Sequence, residues 1–423
     1  MTAAAQSPLP AALHDADWLK RPGTQAVFAA LAAHGHEARA VGGAVRDALL
    51  GRRVGDVDLA TPARPEAVMA AAQAAGLKAI ATGLAHGTVT VLAEGHPYEI
   101  TTLREDVESY GRHAKVAFTG DWAADARRRD FTINALYCGA DGELFDPLGG
   151  WPDLAQRRVR FIGEAGQRIR EDYLRILRFF RFLAEYGDGQ PDRQGLEAAV
   201  VERAGLALLS GERVRQEFFR LLTAPRGPDM VRLMLDYGLI TLVLGQAPRP
   251  ALLERAAKLE AGLGLAADPL IRLAALAVET REDAEALRAR WHLSNDQYAA
   301  LARVETGKAR FAAKMPEAKA KAALYGEGRA AARWLLLLDW ARSGDPAEHK
   351  EWQALWALAE QWQPPLLAVT GEDVLALGVP AGPRVGQLLR ALEAWWIAGA
   401  FAADRASQLA KLRELTAAEA QSP

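Results

Sequence analysis

Residues 41–61 read Val-Gly-Gly-Ala-Val-Arg-Asp-Ala-Leu-Leu-Gly-Arg-Arg-Val-Gly-Asp-Val-Asp-Leu-Ala-Thr, and this stretch decides the fold. Gly42 and Gly43 lack a Cβ atom, so the backbone can turn sharply there and bring its N–H groups close to phosphate oxygens. Arg46 follows one turn into the predicted helix, where its guanidinium can bind a phosphate with paired donors. The predicted order of strand, turn, helix and strand is the order that a triphosphate site requires.

Two carboxylates lie near the end of this stretch. Asp56 and Asp58 are two residues apart on a predicted strand, so both point to one face while Val57 and Leu59 point into the core. Two adjacent carboxylates repel each other unless a cation lies between them, and Mg²⁺ binds through one or two carboxylates plus substrate phosphates. A glycine pair alone is usually a simple turn, and most Asp-x-Asp pairs are solvated. Their order and spacing together predict a site for Mg²⁺ and a nucleoside triphosphate.

The stretch resembles the signature of the class II tRNA nucleotidyltransferase and bacterial poly(A) polymerase family, a branch of the polymerase-beta-like nucleotidyltransferases. Residues 127–136 (Arg-Arg-Arg-Asp-Phe-Thr-Ile-Asn-Ala-Leu) resemble its second motif, and residues 171–182 (Glu-Asp-Tyr-Leu-Arg-Ile-Leu-Arg-Phe-Phe-Arg-Phe) resemble the motif that selects the base. Segments 145–150 and 153–163 resemble the connecting hinge, and 211–222 resembles the last neck helix. The resemblance therefore covers about the first half of the chain with several ordered motifs.

The resemblance implies a role for each matching residue. The nucleotide contacts would be Gly42, Gly43, Arg46 and Arg129 at the phosphates, Asp130 and Asn134 at the ribose, Asp172 and Arg175 at the base, and Arg178 and Arg181 toward the triphosphate. Asp56 and Asp58 would be catalytic by holding two Mg²⁺ ions, one at the attacking 3′-hydroxyl and one along the triphosphate. Glu99 is the positional candidate for a third carboxylate, and a solvent-facing glutamate is the alternative.

Asp172 and Arg175 give a prediction about base selection. They are three residues apart on a predicted helix, so their side chains are neighbours and can form one hydrogen-bonding edge. The carboxylate only accepts and the guanidinium only donates, a pattern that suits cytosine and adenine but not guanine or uracil. Such a site can reject the wrong base by roughly 10⁴-fold because buried polar groups would be left unpaired. The alternative is a simple salt bridge on a helix surface.

The leading functional hypothesis that the resemblance implies is a CCA-adding enzyme, which completes the 3′ end of tRNA with CTP and ATP. The first alternative is a bacterial poly(A) polymerase, which uses ATP only, although the basic C-terminal extension of many such enzymes is absent. A partial enzyme that adds only CC or only A is the second. A catalytically idle RNA-binding module is disfavoured because such a module has no need for the carboxylates of Asp56 and Asp58.

Composition limits the partners. The formal net charge of the 423 residues is −2, so an RNA site must be a local patch, and residues 151–181 hold eight arginines against four acids. Cys138 is the single cysteine, which excludes a disulfide within the chain and a zinc cluster. No apolar run approaches the roughly 20 residues that span a membrane, and no secretory signal is evident. We therefore expect a cytoplasmic protein without membrane contact, and no obligate protein partner is evident.

The chain as a whole predicts an α+β fold. A small mixed nucleotidyltransferase head, with an antiparallel-type sheet and flanking helices, occupies residues 24–150. A helical neck for base selection and RNA binding follows over 151–225, and a helical body and tail for tRNA binding over 226–423. The polar interval 105–121 lacks a clean period and predicts a mobile loop beside the site. Most of the eleven tryptophans lie in the second half, where helix interfaces are their expected place.

Overall fold

The computed structural model describes residues 13–110, 113–304 and 309–420. The chain divides into two compact units between Gln246 and Ala247. The division into head, neck, and body with tail is finer than this and stays a prediction. In the described residues, no helix is long and apolar enough to cross a membrane.

The first unit contains the β-structure, and the head has the predicted mixed architecture. The strands are β1 Arg39–Val41, β2 Val57–Thr61, β3 Lys78–Gly83, β4 Thr88–Ala93, β5 His96–Thr102, β6 Arg104–Tyr110, β7 His113–Phe118, β8 Tyr137–Cys138 and β9 Leu144–Phe145. Seven of these described strands form one sheet in the order β3-β4-β5-β2-β1-β8-β9. Its neighbours are antiparallel except β2 and β5, which run parallel.

Residues 105–121 contradict the sequence-based prediction of a loop. Strands β6 and β7 pair antiparallel as a separate hairpin, with Arg104 opposite Phe118. The register shifts between Asp106 and Glu108, and such an irregularity interrupts the two-residue alternation of a strand. This interruption explains why the sequence shows no clean period there. Residues 111 and 112 lie outside the described residues.

Helices complete the first unit. They are α1 Asp17–Lys20, α2 Pro22–Ala32, α3 Gly43–Leu49, α4 Pro65–Ala74, α5 Trp122–Arg127, α6 Gly150–Ala155, α7 Ala165–Glu171, α8 Leu174–Tyr186, α9 Arg193–Val201, α10 Gly211–Thr223, α11 Gly227–Asp236 and α12 Ile240–Leu244, with short 3₁₀ turns at Leu84–His86, Thr132–Asn134 and Arg203–Leu208. Helix α8 packs against α10 and α11. Its face with Ile176, Leu177 and Phe180 is buried, so the arginines at three-residue spacing lie on its other side.

An aromatic cluster joins α8 to the segment that precedes it. Phe131 and Phe161 face each other at 4.9 Å between ring centroids, and their backbones form an isolated β-bridge. Phe161 stacks on Phe179 at 5.4 Å, and Phe131 also lies 5.1 Å from Phe182. Because these rings are buried, the position of α8 against residues 131–161 is set by close packing.

The second unit is helical, as predicted. Its described helices are α13 Pro250–Gly262, α14 Pro269–Ala277, α15 Arg281–Trp291, α16 Asn295–Ala302, α17 Glu317–Glu327, α18 Arg329–Ser343, α19 Lys350–Gln361, α20 Gly371–Ala376, α21 Pro383–Ala398 and α22 Arg405–Ala420. Trp340 and Trp352 stack at 5.8 Å with planes 9° apart, and Trp291 and Trp396 are also buried. These four tryptophans fill helix interfaces, whereas Trp395 is 36% exposed.

We expect Gly150→Ala to destabilise the first unit. A Cβ atom at Gly150 would lie 2.2 Å from the carbonyl oxygen of Thr132, and backbone cannot yield as a flexible side chain does. Overpacking of this kind costs about 1–3 kcal/mol. The measurement is the midpoint of urea unfolding. Gly120→Ala is the matched control because nothing lies within 4 Å of its Cβ position, and equal midpoints for the two variants would contradict the packing argument.

Candidate active site

A pocket of about 630 Å³ in the first unit brings most of the predicted site residues together. It is lined by Val41, Gly42, Gly43, Arg46, Asp58, Arg129, Asp130, Asn134, Asp172, Leu174, Arg175, Arg178, Arg181, Phe182, Arg213 and Arg220. Seven arginines and three aspartates are among these described lining residues, so guanidinium groups outnumber carboxylates on the surface of the pocket. Two predicted residues, Asp56 and Glu99, are outside the lining.

The turn between β1 and α3 forms one wall of the pocket. Gly42 has φ 68° and ψ −113°, a conformation that only glycine adopts readily. Its N–H donates to the carbonyl oxygen of Leu136 at 3.1 Å, and α3 begins at the next residue. A Cβ at Gly42 would still have ordinary contacts, so the backbone conformation, not space, requires glycine here.

Arg46 lines the pocket but is already held by protein partners. Its side chain is buried, and its Nη1 donates to Oδ1 of Asn134 at 2.5 Å. Its Nη2 donates to the hydroxyl of Tyr186 at 2.7 Å, and its Nε donates to Asp47 at 3.1 Å. The guanidinium also lies over the ring of Tyr186, 4.1 Å from the centroid. The contacts between Arg46 and Tyr186 thus hold α3 against the end of α8.

An acidic edge lies where β2 and β5 run parallel. Asp58 is directly opposite Glu99 in the register of the two strands, and Asp56 immediately precedes β2. All three residues are exposed, while Val57 and Leu59 are buried as predicted. Partial removal of the carboxylate from water raises the pKa of Asp58 above its ordinary value. The negative charges of Glu99 and Asp56 raise this pKa further, and the positive charge of Arg129 opposes them.

Arg129 is oriented by two residues that the sequence analysis did not identify. Its Nη2 donates to Oδ2 of Asp125 at 3.0 Å, and its Nε donates to the hydroxyl of Tyr137 at 3.2 Å. The Tyr137 hydroxyl in turn donates to the same Asp125 oxygen at 2.9 Å. Burial alone would lower the pKa of Arg129, but Tyr137 and Asp125 hold it above its ordinary value. The guanidinium therefore stays charged at the pocket wall.

Asp130 joins the head segment to α8. Its Oδ1 accepts from Nδ2 of Asn134 at 2.9 Å and from the backbone N–H of Phe131 at 2.9 Å. Its Oδ2 accepts from Nε of Arg178 at 2.8 Å and from Nη2 at 2.5 Å. Burial alone would raise the pKa of Asp130, but Arg178 and Asn134 lower it below its ordinary value. The predicted proximity of Asp130 and Asn134 is found.

Glu217 of α10 lies beside two arginines of α8, Arg178 and Arg181. It is buried, accepts from Nε of Arg181 at 2.6 Å and lies 3.4 Å from Nη1 of Arg178. Burial lowers the pKa of Arg181, and Glu217 offsets this effect only in part. Asp130, Arg178, Glu217 and Arg181 thus form a chain of alternating charge along one side of the pocket.

Asp172 and Arg175 differ from the prediction in one respect. They do not share a helix, because α7 ends at Glu171, Asp172 has extended backbone, and α8 begins at Leu174. Their described side chains do not bond to each other, so the simple salt bridge that was the alternative is not found, although the backbone N–H of Arg175 donates to the carbonyl oxygen of Asp172 at 3.0 Å. The two carboxylate oxygens of Asp172 accept from Nη1 and Nη2 of Arg213 at 3.1 and 2.7 Å. Arg175 donates from Nη1 to Glu171 and to the carbonyl oxygen of Arg168, both at 2.6 Å. Both side chains nevertheless line the pocket.

Several lining or supporting residues had no place in the sequence-based prediction. They are Asp125, Tyr137, Phe182, Arg213, Glu217 and Arg220. Three of them, Arg213, Glu217 and Arg220, recur at four- and three-residue spacing on α10, so they share a face. That spacing in the sequence could have indicated that the three side chains act together. Nothing local indicated which helix this face would meet.

Comparisons with known proteins identify the family of this chain. A family model described as "Poly A polymerase head domain" matches residues 38–160, and one described as "Probable RNA and SrmB- binding site of polymerase A" matches residues 196–249. The mitochondrial CCA tRNA nucleotidyltransferase 1 of Mus musculus is 35% identical over 402 residues, which are 93% of this chain and 90% of the mouse protein. The chain belongs to the class II CCA-adding tRNA nucleotidyltransferase and bacterial poly(A) polymerase family.

Two bacterial relatives support the same membership in the nucleotidyltransferase family. The CCA-adding enzyme of Geobacillus stearothermophilus is 37% identical over 366 residues, 85% of this chain and 88% of its own length. The crystal structure of the Bacillus stearothermophilus CCA-adding enzyme in complex with CTP matches with a TM-score of 0.71 and 31% identity, covering 94% of this chain and 98% of that one. The resemblance identified from the motifs is thereby confirmed.

Nucleotidyltransferases of this family generally need a divalent metal ion. The acidic edge fits such an ion, because the like charges that raise the pKa of Asp58 would be relieved by a cation. Among the described residues, no three His, Cys, Asp or Glu side chains converge to hold a metal. This agrees with a site that takes one or two carboxylates and completes its shell with phosphates and water. It gives no support to Glu99 as a third ligand.

We expect Asp58→Asn to stabilise the metal-free protein at neutral pH. Folding partly removes Asp58 from water and places Glu99 opposite it, which disfavours the charged carboxylate, so removing the charge should raise the free energy of unfolding by about 0.5 kcal/mol. Because the folded pKa of Asp58 is raised above 3.8, the advantage of the variant should be absent below pH 3.8 and grow as pH rises through the folded value. Urea unfolding in EDTA across this range measures it. A pH-independent difference would contradict the charge argument.

Proposed function

We propose that the protein adds CCA to the 3′ end of tRNA, using CTP and ATP and releasing pyrophosphate. The observation that carries this proposal is one pocket in which seven arginines lie beside Asp58 and the Asp172–Arg175 segment. A pocket with this excess of guanidinium groups suits a triphosphate. The CCA-adding enzymes among the relatives, which align over most of their own length, support the choice of tRNA as substrate.

The acidic edge would serve the reacting atoms. Asp56 and Asp58 would hold Mg²⁺, which supplies the positive charge that activates the 3′-hydroxyl and neutralises the departing pyrophosphate. Asp58 lines the pocket, Asp56 is two residues away along the chain, and both side chains are exposed, which would leave them accessible to a primer terminus. Arg129, kept charged by Asp125 and Tyr137, would face the phosphate that receives the attack.

Base selection would fall to Asp172 and Arg175 as two separately supported groups. Arg213 and the backbone N–H of Leu174 fix the Asp172 carboxylate, and its Oδ2, which accepts from Arg213 alone in the described structure, keeps a lone pair for an amino group of the base. In the described structure the contacts of Arg175 to Glu171 and Arg168 use Nη1, which leaves its Nη2 to donate to a ring acceptor. An acceptor beside a donor matches cytosine and adenine and mismatches uracil and guanine.

We expect purified protein with Mg²⁺ and a tRNA lacking CCA to add two C residues with CTP alone and complete CCA with both nucleotides, because one pocket would select both bases. A sequencing gel reads the products. Asp56→Ala with Asp58→Ala should abolish addition while tRNA still binds, and Asp236→Ala, an exposed acid at the end of α11, should change nothing.

Other products would point to the alternatives. Long A tails with ATP and no response to CTP would make the protein a poly(A) polymerase, and arrest at CC or addition of A alone would make it a partial enzyme. Full addition by the Asp56 and Asp58 double variant would refute the metal assignment. The cytoplasmic location stays a prediction, since the mouse relative is mitochondrial by name.

We expect Asp172→Ala to weaken discrimination between CTP and UTP. In the parent site the carboxylate of Asp172 and the carbonyl oxygen of uracil would both be acceptors, with no hydrogen between them. Removing the carboxylate removes this mismatch, so the ratio of the kcat/KM values for CTP and UTP should fall from roughly 10⁴ to about 10². Glu202→Ala is the control, because it breaks another ion pair of this unit, with Arg170 at 2.6 Å, away from the pocket. If Asp172→Ala still rejects UTP as the parent does, base selection lies elsewhere.

A further inference from the structure

Three arginines of the pocket share one aromatic ring. The guanidinium carbons of Arg181, Arg46 and Arg178 lie 4.3, 5.3 and 5.5 Å from the centroid of Phe182. Phe182 lies on α8, lines the pocket and is 4% exposed. Cations within about 6 Å of a ring face are attracted by its quadrupole, and more strongly where water is excluded. One apolar side chain thus contacts cations from both α3 and α8.

The guanidinium groups of these three arginines repel one another, and their acidic partners alone do not offset this repulsion. Arg178 and Arg181 share Glu217, and Arg178 also binds Asp130. Arg46 comes from another element, with the neutral groups of Asn134 and Tyr186 as partners beside Asp47. A further acid between the three would attract them but would also repel a triphosphate. An aromatic face attracts guanidinium groups without adding negative charge.

The ring itself is held in place by packing. Phe131 lies 5.1 Å from Phe182 at 50° between planes, and Tyr186 lies 5.5 Å away at 32°. Tyr186 is the residue whose hydroxyl accepts from Arg46. The orientation of the ring is therefore fixed by the same aromatic cluster that sets α8 against the head.

We propose that Phe182 is a positioning residue of the nucleotide site, whose ring gathers the guanidinium groups of Arg46, Arg178 and Arg181 where they meet the triphosphate. This inference rests on the proposed function only in taking the ligand to be a nucleoside triphosphate. The triphosphate is common to CTP and ATP, so the effect of Phe182 is the same for both nucleotides. It is independent of the choice between C, A and U, which belongs to Asp172 and Arg175.

The test weakens the ring quadrupole and leaves the shape of the side chain nearly unchanged. Phenylalanine carrying one, two or three ring fluorines is incorporated at position 182, and steady-state kinetics are measured for CTP and ATP. We expect KM to rise stepwise for both, by about tenfold with three fluorines, which corresponds to about 1.4 kcal/mol, while kcat and the CTP to UTP ratio stay near the parent values. The dissociation constant of tripolyphosphate, measured by calorimetry, should rise in parallel.

Phe180 provides the matched control on the same helix. It is fully buried and packs against Phe179, and no arginine of the described residues lies over its ring. The same fluorinated series at Phe180 should leave KM and the tripolyphosphate affinity unchanged. Equal responses at positions 180 and 182, or no response at 182, would overturn the proposal. Calorimetry needs no turnover, so a protein that failed to add CCA would refute the proposed function and still allow this test.

Discussion

The ion pair between the buried Asp130 and the half-buried Arg178 is the interaction on which the rest of the site depends. Asp130 accepts four hydrogen bonds, two from Arg178 and two from its own segment. One carboxylate therefore fixes Asn134 on the head side and an arginine of α8 on the other. Through Asn134 it also fixes Arg46. Removing one partner of such a pair leaves a buried charge without compensation, which costs more than the pair contributes.

This arrangement explains how a chain with net charge −2 can bind a polyanion. Seven guanidinium groups line one pocket, and six of them bind a carboxylate that holds them in place. Glu217 serves two arginines, and the ring of Phe182 contacts three. A ligand with several negative charges then meets donors that are already oriented, so little of its binding energy is used to order them.

Local periodicity and the order of motifs predicted part of the fold and most of the pocket residues. The alternation around Asp56 and Asp58 and the helical second half follow from short-range patterns. The helix over 211–222 and most of the pocket residues follow from the resemblance to ordered family motifs. The hairpin at 104–118 was missed because its register shift breaks the alternation. The break at Asp172 was missed because the helical period of 171–182 continues across it. The partners Arg213 and Glu217 lie some forty residues from the groups they hold, and no local pattern specifies such contacts.

The break at Asp172 gives the proposed site its division of labour. A continuous helix would place Asp172 and Arg175 against each other, where a salt bridge would satisfy both and leave little for a base. Because Asp172 lies outside α8, Arg213 and Glu171 hold the two groups separately. Phe182 lies seven positions after Arg175, which is roughly 10 Å along the helix. Base reading at the start of α8 and phosphate binding in its middle can therefore be supported by different neighbours, and one can change without the other.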